Sequence, residues 1–176
     1  MSIDQLLAAM DEVLEQGEAL LTGLSDAQYA EASNAGGSIG AHYRHSLEHF
    51  KILFEAVKDS HIDYDGRERD PRLQTERLAA LKTTRDFREA ARFLSTLSPG
   101  RPLEVRSKIS YAAAVSYAVP STLGREIMYA VSHAIHHHAL IGMICGLDKI
   151  PVPADFGVAP ATIVHRQEQT IARRFA

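Results

Sequence analysis

The sequence predicts an all-α fold, a four-helix bundle with a small β-hairpin between its third and fourth helices. Apolar residues recur at helical spacing over four long segments, and cap or breaker residues punctuate the stretches between them. A further observation concerns chemistry. In YAVSHAIHHHALIG, residues 129–142, four histidines fall within six positions of an otherwise apolar segment.

The first helix opens with a capping pattern, Ser2 and Gln5, and carries Ile3, Leu6, Leu7, Met10, Val13, Leu14, Leu20 and Leu21 to an end near Gly23. Ser25 with Gln28 repeats the pattern for a short turn, and SNAGGSIG reads as a loop ending in the N-cap Ser38. The second helix covers about residues 39–59, followed by the polar connection HIDYDGRERDP. From Pro71, the positions Leu73, Leu78, Leu81, Phe87, Ala91, Leu94 and Leu97 predict a third helix that stops before SPGRP. LEVRSKI and YAAAVSYAVP are the two arms of the hairpin, on their β-branched and aromatic content. STLGREIMYAVSHAIHHHALIGMICG is the fourth helix, capped by Ser121 or Thr122 and closed by Gly146. The tail, with Pro151, Pro153 and Pro160, is expected as irregular chain.

Composition narrows the function classes. The 176 residues suffice for one domain with a core, spanning the whole chain, residues 1–176. A net charge of -3 with dispersed Lys and Arg argues against a nucleic-acid partner. The N-terminal stretch lacks a signal-peptide pattern and Cys145 has no cysteine to pair with, so a cytoplasmic location is expected. No apolar run approaches the roughly 20 residues that span a bilayer, so no membrane partner is expected.

Helical geometry sorts the histidines. On the second helix, Arg44, Glu48, Lys51, Glu55 and Lys58 form one charged strip, while His42, His45 and His49 lie on the opposite half beside Ile52, Leu53 and Ala56. On the fourth, Glu126, His133 and His137 share a stripe with Leu140, His136 and Tyr129 lie just beside it, and His138 points elsewhere. That helix is apolar almost all round, so its polar stripe must face something polar inside the protein. Two such stripes can satisfy each other or share a ligand, and a divalent metal ion is the economical ligand. His133 and His137 at i and i+4 would supply two nitrogens and the second helix a third, leaving a fourth position open as catalytic sites require. Glu126 or His136 would then handle protons or orient a ligand. Tyr43 and Tyr129 read as packing residues with a hydrogen-bonded tip, and His61 and His165 as solvated. Arg67 and Arg69 could meet an anion, although a salt-bridged connector accounts for them equally simply. Cys145, near a helix C-terminus, is discounted as a nucleophile.

SIGAHYRHSLEHF in the second helix followed by HAIHHHALIG in the fourth resembles the DinB-like (DinB/YfiT-like) superfamily of metal-dependent enzymes. The resemblance extends over nearly the whole chain, including the YDGRERDP connector and the DFGVAP segment. It implies a four-helix bundle binding a divalent ion, zinc or nickel, through His45, His133 and His137, with His136 as a neighbour; His42 and His49 stand in register as further candidates. Relatives with HHRGQ carry polar residues where this chain has His138, Ala139 and Leu140. The resemblance further implies a low-molecular-weight thiol as the small-molecule substrate. The expectation is therefore a metal-dependent transferase or hydrolase with a three-histidine site. The alternative is a non-catalytic metal- or ligand-binding bundle, which a fourth protein ligand such as His49 or His42 would favour. A hemerythrin- or ferritin-like centre would need several inward carboxylates, and Glu48 lies on the charged strip. Apolar strips elsewhere on the helices would support a homodimer.

Overall fold

The computed structural model describes residues 2–33, 36–112 and 114–174. Helix α1 (Ile3–Gly23) starts at a complete capping box, in which the Ser2 hydroxyl accepts from the Gln5 amide and the Gln5 side chain accepts from the Ser2 amide. Its stripe of Ile3, Leu6, Met10, Val13, Leu14, Leu20 and Leu21 is buried, each large side chain contributing about 1.5–3 kcal/mol. The short α2 (Asp26–Ala30) has the same capping arrangement at Ser25 and Gln28. Helix α3 (Ile39–Asp59) is capped by Ser38, whose hydroxyl accepts from the Ala41 amide at 3.1 Å, and it ends where Ser60 turns left-handed.

Beyond α3 the chain departs from the expected bundle. Strand β1 (His61–Asp63) is followed by α4 (Arg72–Thr75), α5 (Arg77–Ala90), a 3₁₀ turn over Ala91–Thr96, and strands β2 (Pro102–Ser107) and β3 (Tyr117–Thr122). Helix α6 (Leu123–Leu147) and helix α7 (Pro160–Arg174) complete the described residues. β1 pairs parallel with β2 (Ile62 opposite Val105), and β2 antiparallel with β3 (Val105 opposite Val119). The architecture is thus helix-rich α/β with a three-stranded mixed sheet, which corrects the all-α four-helix bundle.

Each correction has a local cause. β1 is three residues long, too short for alternation to announce it, and a parallel partner some forty residues later supplies the ladder. The expected third helix breaks at Glu76, which is extended, because both sides of the break are anchored elsewhere. The Tyr29 hydroxyl donates to the Leu73 carbonyl, while Arg77 pairs with Asp26 at 2.7 Å and donates to the Leu21 carbonyl at 2.9 Å. The tail expected as irregular chain becomes α7 because Pro160 stands at its first position, where the missing N–H costs nothing.

Helices α1, α3, α5 and α6 surround the core, with α3 packed along α6. Gly40 permits the close approach of α4, since a Cβ there would stand 2.0 Å from the Gln74 carbonyl oxygen. The sheet buries Ile62, Leu103 and Val105 on one face and delivers Tyr64, the residue after β1, onto α6. Among the described residues no helix is long and apolar enough to cross a membrane.

Candidate metal centre

The histidine rows of α3 and α6 meet, as two antipathic polar stripes between apolar neighbours must. His45 and His49 from α3 and His133 from α6 bring ligand nitrogens within 4.8 Å of one another. The ring centroids of His49 and His133 are 4.1 Å apart, those of His45 and His133 5.0 Å. His137, one turn along α6, lies 4.6 Å from both His45 and His133 by centroids, but its Nδ1 faces the Nδ1 of His42 at 3.2 Å. Among the described residues His49 joins His45 and His133 in the three-nitrogen set within 4.8 Å, and His137 and His42 form a pair beside it.

The other sequence candidates take distinct places. His136 is exposed, 5.3 Å from His137 and 6.3 Å from His133 by centroids. Glu126 is buried and both its oxygens are engaged: the Tyr64 hydroxyl donates to Oε2 at 2.6 Å and the Ser121 hydroxyl to Oε1 at 2.5 Å. It acts on the cluster at one remove, since Tyr64 stacks on His49 at 5.3 Å. Tyr129 stacks on His133 at 5.6 Å and lies under the Arg125 guanidinium. His138 points away into the core, stacked between Tyr43 and Phe156, and Tyr43 shares a 2.9 Å hydrogen bond with Thr84. His61 and His165 are exposed. Burial pushes the Cys145 thiol up to about 11, which leaves it a protonated packing residue.

Burial also sets the charge state of the cluster. It draws His45 down to about 3 and His133 to about 4, and mutual repulsion with His49, as well as Arg67, adds to the effect. His137 falls to about 3 through burial and then the proximity of His133 and His42. Burial lowers His49 too, against the opposing hydrogen bond from its own ring to the His45 carbonyl. At neutral pH these rings are neutral, the form that ligates metals.

Hydrogen bonds fix which nitrogen is free. His49 Nδ1 donates to the His45 carbonyl at 2.8 Å, which leaves Nε2 with its lone pair. His133 Nε2 is buried with no hydrogen-bond partner among the described residues. A neutral, converging, partly unpaired nitrogen set fits a borderline-soft divalent ion.

Two residues stand beside the cluster where helical period did not place them, although Arg67 was already a candidate for meeting an anion. Glu48 sits on the side of α3 assigned to solvent yet is 2% exposed, paired with Arg44 at 3.1 Å and with Arg67 at 3.3 Å. Arg67, from the connector after β1, also donates to the Tyr64 carbonyl and, through Nη2, to His45 Nδ1 at 2.9 Å. The charge alternation of Arg44 and Glu48 at i and i+4 pointed to an exposed pair, and no periodicity links residue 67 to α3. Beside the cluster, Tyr64, Ile109, Val119 and Tyr129, together with the polar Ser121, Arg125 and Glu126, line a cleft of about 510 Å³.

No family model matches the chain, so the DinB-like resemblance rests on the motif residues alone. An FK506-binding protein 5 of Rhizopus delemar is 33% identical to it over 119 residues. That match takes in 68% of this chain and 31% of the relative, so the chain spans about a third of the length of the curated protein it matches. The finding corrects the expected metal-dependent transferase or hydrolase, and with it the thiol-transfer chemistry of a DinB-like metalloenzyme: the relative is named for binding a ligand, not for group transfer or hydrolysis.

Proposed function

We propose that the chain is a ligand-binding domain built around a divalent-cation site, held by His45, His49 and His133. One observation carries the reading: three imidazoles from two helices converge within 4.8 Å, and one of them presents a buried nitrogen that pairs with nothing else described. Leaving such a nitrogen without a partner costs about 1–3 kcal/mol, which an ion would recover. When bound, the ion would cross-link α3 to α6 and offer a polarising centre to a ligand. His49, oriented by the His45 carbonyl, supplies a defined nitrogen, and Tyr64 and Tyr129 press His49 and His133 into place from the cleft side.

The cleft, lined by Tyr64, Ile109, Val119 and Tyr129 with Ser121, Arg125 and Glu126 as its polar side, would give a ligand of mixed polarity a place near the ion. The name of the Rhizopus relative supports ligand binding as the class of activity and makes FK506 the first ligand to test. The test is calorimetric titration of the untagged chain with zinc and nickel, then with FK506 in the presence and absence of the ion. Binding of about one ion per chain, abolished by His133→Ala, is the expected result. A chain that takes up neither ion refutes the cation site, and a chain that takes up an ion but leaves FK506 unbound assigns the FK506 activity to the part of the relative outside the match.

A further inference from the structure

The hydrogen bond between Arg67 and His45 has a consequence for the proposed cation site. A guanidinium has donors only, so the 2.9 Å contact from Nη2 places the lone pair of His45 on Nδ1. In the neutral ring the proton is then on Nε2, and neither nitrogen is free to ligate. For His45 to bind an ion, through either nitrogen, the bond from Arg67 must break.

Arg67 cannot travel far once released. Its Nε stays paired with Glu48 at 3.3 Å, and its Nη1 with the Tyr64 carbonyl. Glu48 is shared with Arg44, so two guanidinium groups already draw on one buried carboxylate. The other buried carboxylate nearby, Glu126, is engaged by Tyr64 and Ser121. A dication added to neutral imidazoles beside this pair leaves the pocket with an excess of positive charge. An anion would balance it, held by the ion on one side and by the released Nη2 of Arg67 on the other.

We infer that Arg67 and the divalent cation exchange on His45, and that the displaced guanidinium then binds an anionic group of the ligand at the ion's open position. This rests on the cation site proposed above and names the chemistry of what it takes: an anion or a ligand carrying one. Connector residue 67 thereby couples loading of the ion to recognition of the ligand.

Cobalt(II), whose visible spectrum reports its coordination, is titrated into the full chain, into Arg67→Met and into Arg67→Gln; azide is then titrated into each cobalt-loaded protein. Arg67→Met is expected to bind cobalt about tenfold more tightly than the wild type, because no charge-assisted hydrogen bond has to be broken. Its azide affinity is expected to fall about tenfold, by the same magnitude of lost charged contact. Arg67→Gln, which keeps a donor for Glu48 and Tyr64 and so protects folding, shifts both affinities the same way by a smaller factor. Equal or weaker cobalt binding in both variants overturns the exchange, and unchanged azide affinity overturns the anion role. If cobalt binds neither the wild type nor the variants, the cation site itself falls and the inference with it.

Discussion

Tyr64→Phe isolates the link between the sheet and the histidine cluster. The Tyr64 hydroxyl donates at 2.6 Å to a carboxylate oxygen of Glu126, a residue 4% exposed on α6. Burial, then the bond to Glu126 and its charge, hold the phenol far above its usual range, so it is a donor at every pH the fold survives. Phenylalanine fills the same space and removes one oxygen, so no cavity term enters. What remains is a carboxylate with the Ser121 hydroxyl at 2.5 Å and the Arg125 guanidinium at 3.8 Å. A hydrogen bond to a charged acceptor is worth about 1.5–3 kcal/mol net, and burial places this one in the upper half of that range, about 2–3 kcal/mol. For a chain of this size that lowers Tm by about 5–10 °C. Urea unfolding at neutral pH measures it as a shift in midpoint at constant slope. Ser121→Ala removes the other hydroxyl, and because both serve one carboxylate, the double variant is expected to lose more than the sum of the two. A loss below about 0.5 kcal/mol in Tyr64→Phe, with additive behaviour in the pair, would mean that water reaches Glu126 and that the link carries no weight.

Gly40→Ala is expected to destabilise the fold by about 1–3 kcal/mol although alanine favours helices, since the new Cβ would meet the Gln74 carbonyl at 2.0 Å and push α4 off α3; urea unfolding reads this directly. Asp11 and Glu18 titrate below their usual values of 3.8 and 4.5, each mainly through hydrogen bonds from Arg88 or Arg85. Both carboxyls have folded-state pKa values below the unfolded ones, so their contribution is present above about pH 4.5 and is lost as the pH falls through and below 3.8. Because the groups are partly exposed the effect is small, and Arg88→Met is expected to flatten the acid limb of the stability profile rather than lower stability much at pH 7. A variant whose acid limb matches the wild type shows that the network does not report on folding.

The long helices were legible because burial imposes a 3.6-residue period on apolar side chains. Met10, Leu14 and Leu21 on α1 and Ile127, Ala130, Ala134 and Ile141 on α6 lie inside where that period puts them. The sheet was legible only in part. β2 shows the expected alternation, with Leu103 and Val105 inward, whereas β3 exposes Tyr117 to Pro120 and β1 has three residues. Sheet order is a non-local property: the parallel pairing of Ile62 with Val105 spans a segment containing two helices, and nothing within either strand specifies it.

The same physics explains what the histidine pattern could and could not convey. Spacings of three and four on α3 and α6 oblige His45, His49, His133 and His137 to face inward, and once the helices pack, the rings have to meet. Which of them share an ion depends on rotations of one side chain against another: His137 turns to His42, while His49 is aimed by a carbonyl of its own helix. Helical period is blind to that choice, and blinder still to Arg67, which arrives from a connector and sets the lone pair of His45. A row of imidazoles in sequence therefore predicts a polar seam, while the lone pair of His45 depends on Arg67, a cation that the fold brings from outside the row. The same Arg67, together with Arg44, pairs with Glu48, so a residue that the helical period places on the surface becomes a buried counter-charge for two guanidinium groups.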